Sequence, residues 1–356
     1  MKAMRVPVFG PPDCLREDDI PVPTPGPTEA LVRIHACGIN RMDTELRSGT
    51  YGGEPLANFF FGKAIVLPHL PGIEPAGVVV ALGANARGAA VGDRVVAHSH
   101  LSCGHCTHCR AGHDNACAEI RVLGVQTPDC GGYAEYFCWP ADRLISYGEG
   151  LPHTTAAAVS VNYGPVWFGL MDQAGMKPGE TLLVTGAAGG CGHAAIDLGR
   201  LLGVRVIAVT RSAAKVAALR AAGAAEVIVA PDNTPWSEQV LALTQGRGAD
   251  VVCELVGAAS WRESLSACAA RGRVVVIGSH GGLHTTLNLG EVFGRNLSIF
   301  GITRAPHTAM ARVMQLAEAG HLRPSIAATF PLSAAAAAHG LLETGAFSGK
   351  IVLTMT

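Results

Sequence analysis

Charge is scarce in this chain. Asp, Glu, Lys and Arg supply 15% of 356 residues and nearly cancel, leaving a formal net charge of -1. That balance gives no electrostatic case for nucleic acid or an anionic membrane surface as a partner. No uninterrupted apolar run reaches membrane-spanning length, and the opening MKAMRVPVFGPPD lacks the apolar centre of a signal peptide, so the cytoplasm is the expected compartment. An even set of cysteines is missing too. Eleven thiols argue against a disulfide framework and for metal binding as the first reading. Internal repeats and disordered segments are absent. What is there is 49% apolar residues in a chain long enough for two domains with large cores, the composition of a well-packed α/β protein.

The most informative stretch is GETLLVTGAAGGCGHAAIDLGR, residues 179–200. Thr181–Thr185 has strand character and runs into the turn Gly186, Ala187, Ala188, Gly189, Gly190, Cys191, Gly192. A helical pattern follows, with Ala195, Ile196, Leu198, Leu201 and Leu202 on its apolar side. Strand, glycine turn and helix form the context of a dinucleotide site: glycine lets the backbone approach a pyrophosphate, and the helix N-terminus offers unpaired N–H groups. The alternative is a purely structural turn. A second strand, Val204–Thr210, follows at the right distance.

Residues 1 to about 155 read as short strands and turns, with Leu31–Ala36, Gly77–Leu82 and Arg94–Ala97 strand-like. Cys103, Cys106, Cys109 and Cys117 fall within fifteen residues. Four thiolates close a tetrahedral zinc site and leave no position for water, so the reading is one structural Zn2+; a redox cluster or unrelated thiols are the alternatives. His100, His105, His108 and His113 crowd the same loop and are expected to be solvated. Cys14, Cys37, Cys130, Cys138, Cys191, Cys253 and Cys268 lack ligand spacing and read as small core or surface residues.

From about 155 to 305 strands and helices alternate. The strands are Thr181–Thr185, Val204–Thr210, Glu226–Val229, Asp250–Leu255, Arg273–Gly278 and Asn296–Gly301, with helices such as Lys215–Ala222 and Trp261–Ala270 between them. Such alternation predicts a doubly wound parallel sheet. A helix over Ala309–Ala319, a helical alanine run Ala334–Ala338 and a closing strand Lys350–Thr354 complete the chain. The expected organisation is a β-rich domain over 1–155 and 306–356, with a zinc lobe near 100–120, interrupted by a dinucleotide-binding domain over 156–305.

The four-cysteine lobe, the TGAAGGCG turn and the closing SGKIVL strand together resemble the medium-chain dehydrogenase/reductase family over nearly the full length. That likeness implies an α/β fold: a Rossmann-type domain plus a discontinuous GroES-like β-rich domain. The glycine stretch resembles the quinone oxidoreductase branch, which usually has Gln where Asp197 stands. Asn40, Asp43, Arg47, Gly49 and Tyr51 match that branch's Asn-x-x-Asp and Arg-x-Gly-x-Tyr pattern. The alcohol dehydrogenase branch instead holds a catalytic zinc. Its Cys-His-Ser/Thr-Asp run aligns with Asn40, Arg41, Met42 and Asp43, its Gly-His-Glu with Gly72, Ile73 and Glu74, and its third ligand with Val161 or the adjacent Asn162. Only Glu74 offers a donor of the usual kind. The resemblance therefore implies a structural zinc without a catalytic one.

NAD-specific relatives end the second strand with an acid. Here Thr210 is followed by Arg211 and Ser212, with Lys215 shortly after, a set that suits a 2′-phosphate and hence NADPH. The alternative is that Arg211 and Lys215 are ordinary solvated helix-start residues. Gly257, Gly278 and Ser279 resemble the family's nicotinamide-side loops. Without a Lewis acid, an activated small-molecule acceptor, a quinone or α,β-unsaturated carbonyl, is the expected substrate. Tyr51 is the preferred hydrogen-bond donor, and Asn40 and Arg41 are placed at the cleft by resemblance. Arg47 and Asp43 are expected to pair, and Glu74 to be structural. Trp167, Phe59, Phe60 and Phe61 line a pocket or belong to core, and the Gly53–Val66 insertion shapes the site. Two other readings stand beside this one: a zinc alcohol/aldehyde dehydrogenase rebuilt on Glu45, His69 and Glu74, and a non-catalytic NADPH-binding sensor or structural protein. The family implies a homodimer or homotetramer, joined near Ser298–Gly301.

Overall fold

The computed structural model describes residues 1–56, 65–232 and 234–355. Phe59, Phe60, Phe61 and most of the Gly53–Val66 stretch lie outside the described residues. The middle of the chain forms a six-stranded sheet, parallel throughout. From one edge to the other run Glu226–Val229, Arg205–Thr210, Thr181–Val184, Ala249–Glu254, Cys268–Val276 and Ser298–Gly301. Its central strands are aliphatic on both faces: Leu182, Leu183, Val184, Val206, Ile207, Val251, Val252, Val274 and Val275 are all buried, as parallel strands covered on both sides must be. Strand order reverses between Thr181–Val184 and Ala249–Glu254, the point at which such sheets open a ligand crevice.

Sequence from both ends of the chain builds the second, mostly antiparallel sheet. Its order is Leu144–Ser146, Arg94–Ala97, Pro75–Leu82, Glu29–Ile39, Lys350–Thr354 and Ile326–Pro331, and Tyr136–Pro140 also pairs with Glu29–Ile39. The closing strand lies antiparallel to the long first one, with Ile351 opposite Ile39 and Val352 opposite Gly38. Helix His307–Glu318 buries Met310, Val313, Met314 and Ala317 in the same core as helix His153–Trp167 and strand Thr181–Val184.

Most predicted boundaries move by one to three residues, and the strand placed over Arg273–Gly278 starts five residues earlier. The helix placed over Trp261–Ala270 runs Ala258–Ala267, and Cys268 begins a strand by pairing with Ala249. Alanine at 269 and 270 favours helix by a few tenths of a kcal/mol, and sheet pairing outweighs that preference.

Candidate active-site cleft

The glycine turn sits at the reversal of strand order. Helix Gly190–Leu202 starts inside it, so that Gly190, Cys191 and Gly192 belong to the first helical turn, and Gly203 in the left-handed conformation ends it. A Cβ at Gly190 would lie 2.5 Å from Asn162 Oδ1, so only glycine allows that approach. At Gly189 a Cβ would meet nothing nearer than Gly186 O at 3.6 Å. The space beside the turn is therefore open, as a diphosphate on the helix N-terminus requires. Asp197, in the usual Gln position, is buried and satisfied: it accepts from Tyr163 Oη (3.0 Å) and from Arg200 Nε and Nη2 (3.0 and 2.7 Å).

A cavity of about 1300 Å³ runs from this turn to the face of the other domain. It gathers Gly186, Ala188, Gly189, Gly190, Cys191, Gly192, Thr210, Arg211, Lys215, Gly278 and Ser279 from the predicted cofactor set, and Asn40, Arg41 and Tyr51 from the predicted catalytic set. Ser212 and Gly257 do not line it. The Ser212 N–H donates to Thr210 Oγ1 (3.4 Å), and the Gly257 N–H to Glu254 Oε1 (2.9 Å). Glu254 is wholly buried and also accepts from Thr185 Oγ1, Val256 N and the Ser260 and Ser264 hydroxyls, which fixes the loop at the end of its strand. Arg211 is exposed and pairs with Asp232 at 3.2 Å. Trp167 packs against core rather than lining the cavity.

On the far side of the cavity, Glu74 is wholly buried. Its carboxylate accepts from Val161 N (2.7 Å), Asn162 Nδ2 (3.1 Å), Ser160 Oγ (3.3 Å) and Asn40 Nδ2 (3.0 Å), and Lys350 Nζ lies 2.5 Å away. Lys350 donates in turn to Asn40 Oδ1 at 2.7 Å. A side chain at Gly38 would collide with this pair, its Cβ falling 2.3 Å from Glu74 Oε2. The expected Asp43–Arg47 pair does not form. Asp43 accepts from Asn40 N (2.7 Å) and caps helix Arg41–Ser48, whereas Arg47 reaches Glu343 on helix Ala335–Thr344. Burial pushes the Asp43 carboxyl up to about 7. Glu45, His69 and Glu74 do not converge as a ligand set, and among the described residues no three potential metal ligands meet in the cleft.

Tyr51 is buried at the cavity wall, and burial raises its pKa while a hydrogen bond to Ser279 pulls the other way. Next to it stands His280, which the sequence reading missed; the ring centroids are 5.3 Å apart. His280 Nδ1 is 3.0 Å from Glu45 Oε2, and Arg41 Nε is 3.9 Å from the other oxygen of that carboxylate. The only local signal for His280 was its place after Gly278 and Ser279, in a loop singled out for its glycine.

In the lobe, the four predicted thiols converge. The Sγ atoms of Cys103, Cys106, Cys109 and Cys117 all lie within 4.8 Å of one another, with 3.5 Å between Cys106 and Cys109 and 3.9 Å between Cys103 and Cys109. A tetrahedron of 2.3 Å Zn–S bonds has edges of about 3.8 Å, so the set fits zinc. Backbone N–H groups point at the sulfurs, Cys106 N at Cys103 Sγ (3.3 Å) and Glu119 N at Cys117 Sγ (3.4 Å). The backbone N–H groups of His105 and Cys106 hold the Cys103 thiol down to about 6. His105, His108 and His113 are exposed as expected, but His100 is 1% exposed and is corrected to a buried residue.

Comparison with known proteins agrees with this architecture. Residues 26–149 match the alcohol dehydrogenase GroES-like domain, and residues 190–319 the zinc-binding dehydrogenase family. The quinone oxidoreductase of Pongo abelii is 30% identical over 363 residues, covering 100% of this chain and 98% of that protein. A solved structure described as an NAD-dependent alcohol dehydrogenase is 36% identical with TM-score 0.90, all of both chains being covered. A mycobacterial protein solved in complex with NADPH is 26% identical with TM-score 0.79, covering 99% of this chain and 100% of that one. No helix among the described residues is long and apolar enough to cross a membrane. The chain belongs to the medium-chain dehydrogenase/reductase family of oxidoreductases, near its quinone oxidoreductase branch.

Proposed function

We propose that the protein is an NADPH-dependent reductase of quinones or α,β-unsaturated carbonyl compounds that works without a catalytic zinc and keeps a structural zinc on the four-cysteine lobe. The observation that carries this reading is the state of Glu74. The one carboxylate left at the position of a catalytic-zinc shell has its lone pairs taken by Lys350, Asn40, Asn162, Ser160 and Val161 N. A carboxylate so engaged has nothing left for a metal ion, and Val161 offers no side-chain donor.

NADPH, when bound along the glycine turn, supplies a hydride. Gly189, Gly190 and the helix start hold the diphosphate, and Arg211 and Lys215 meet the 2′-phosphate. Arg211 must exchange its Asp232 partner for it, which exposure on both sides makes inexpensive. Hydride added at the conjugated carbon of an enone moves an electron pair onto the carbonyl oxygen. Tyr51 stands to donate a hydrogen bond to that oxygen and His280 to relay the proton, its ring oriented by Glu45. Asn40 is tied at both ends to the buried pair and serves to hold the cleft wall. Arg41 adds positive charge at the mouth. The open edge strand Ser298–Gly301, with Leu289 and Phe293 69% and 76% exposed nearby, supports assembly as a homodimer through the nucleotide-binding sheet.

The test is oxidation of NADPH with a panel of quinones, enones, simple ketones and aldehydes. Turnover is expected with the activated acceptors only, and Tyr51→Phe is expected to lower kcat/KM roughly 10²-fold or more. Turnover of simple ketones or alcohols, abolished by a chelator, would sink the reading.

A further inference from the structure

A second cluster of metal-ligating side chains lies at the base of the cysteine lobe, outside the cleft. His98 and His100 follow strand Arg94–Ala97, and Asp114 lies in the lobe three residues before Cys117. His98 and His100 are each 1% exposed and Asp114 7%. Asp114 Oδ2 is 3.9 Å from His98 Nδ1 and 3.8 Å from His100 Nε2. Those separations are too long for hydrogen bonds. They are a few tenths of an ångström above the edge of about 3.4 Å in a tetrahedron of 2.1 Å metal–nitrogen bonds.

The tautomer of His98 follows from its other nitrogen. Nε2 lies 3.2 Å from the Ala305 carbonyl, which only accepts, so Nε2 carries the hydrogen and Nδ1 presents a lone pair toward the carboxylate. A ring N–H held by a backbone carbonyl while the opposite nitrogen binds metal is the usual support of a histidine ligand. Both ring nitrogens of His100, and Nε2 of neighbouring His307, are buried without a hydrogen-bond partner. Buried lone pairs aimed at a carboxylate are unfavourable unless something positive lies between them.

We propose that His98, His100 and Asp114 form a second, nitrogen- and oxygen-ligated site for a divalent transition metal, beside the ring of His307, whose centroid is 5.2 Å from that of His98. Asp114 Oδ2 is shared with Arg143 Nη1 at 3.1 Å. That guanidinium opposes hard cations, which depend on carboxylate charge, and leaves ions that bind imidazole strongly: Zn2+, Co2+, Ni2+ or Cu2+. The ion ties the lobe to the end of strand Arg94–Ala97 and, through His98, to the backbone at Ala305. This site is independent of the reductase reading.

Titration of full-length protein, its thiol lobe loaded with zinc, with Co2+ tests the proposal. One equivalent per chain is expected, with visible ligand-field bands and no sulfur-to-cobalt charge transfer. It should disappear in His100→Gln and in His98→Gln, be displaced by Zn2+ and ignore Mg2+. Absence of such bands in the wild-type protein overturns the proposal without recourse to any variant. A charge-transfer band would assign the ion to the thiols. Uptake that survives both histidine variants would place it in the cleft, overturning this proposal and the zinc-independent reading together.

Discussion

The four thiols of the lobe and Glu74 in the cleft differ in what their lone pairs do. In the lobe, four sulfurs point at one another and receive only backbone N–H groups. In the cleft, Glu74 is surrounded by donors of its own chain, and the nearest cation is the Lys350 ammonium. One arrangement leaves lone pairs directed at a common point, whereas in the other they are taken by the Lys350 ammonium and by N–H donors. Residue type alone does not make a ligand; a free lone pair aimed at a common point does.

Four perturbations bear on that contrast. The largest effect is expected from Cys106→Ser. Loss of one thiolate should remove the lobe's zinc equivalent and unfold the lobe, since structural zinc binding is worth on the order of 10 kcal/mol; metal analysis with thermal unfolding reads this. If the variant keeps its zinc, the lobe is not the site.

Lys350→Met should destabilise the fold by roughly 3–5 kcal/mol, because it strands a buried carboxylate. Denaturant unfolding measures it, and a Glu74→Gln/Lys350→Met double variant should recover much of the loss. A near-neutral Lys350→Met would mean that the amide donors alone satisfy Glu74, which would reopen the metal question in the cleft.

The third effect depends on pH. Asp43 is raised from 3.8 to about 7, chiefly by burial, with Glu74 adding to the rise. Its folded state thus holds a proton more tightly than its unfolded state. The stabilisation from that proton is full below about pH 4 and is lost as pH rises through about 7, at no more than about 1.4 kcal/mol per unit. Asp43→Asn should therefore gain stability relative to wild type between pH 4 and 7 and hold a constant difference above that. A difference that is flat with pH would show that Asp43 is ionised in the fold.

The smallest effect concerns the cofactor end. Arg211→Ala should raise the KM for NADPH about tenfold, in keeping with one charge-assisted hydrogen bond, and leave that for NADH nearly unchanged. Equal changes for both cofactors would return Arg211 to its Asp232 pairing as an ordinary surface residue.

What was legible in the sequence is what short stretches of chain encode. The glycine turn between strand Thr181–Val184 and helix Gly190–Leu202 and the four thiols within fifteen residues could be placed because neighbours in sequence set their geometry. Alternation of strands and helices likewise sufficed for the parallel sheet, since parallel neighbours require crossovers. Resemblance brought Tyr51 to the cleft.

Tertiary structure decided the rest, because the deciding contacts join distant parts of the chain. His280 meets Glu45 across 235 positions, Lys350 meets Asn40 across 310, and Arg47 finds Glu343 across 296. The last two pairs form where the two ends of the chain meet in one half of the molecule, and the first where the loop after strand Cys268–Val276 meets helix Arg41–Ser48; no local pattern marks any of them. His100 was read with the loop beside it, yet its neighbours in the fold, His98, Asp114 and His307, exclude water from it. The sequence by itself determined the two domain types, the lobe's thiols and the glycine turn. Which lone pairs remain free was determined by the fold, since a donor's availability depends on every group that packs against it.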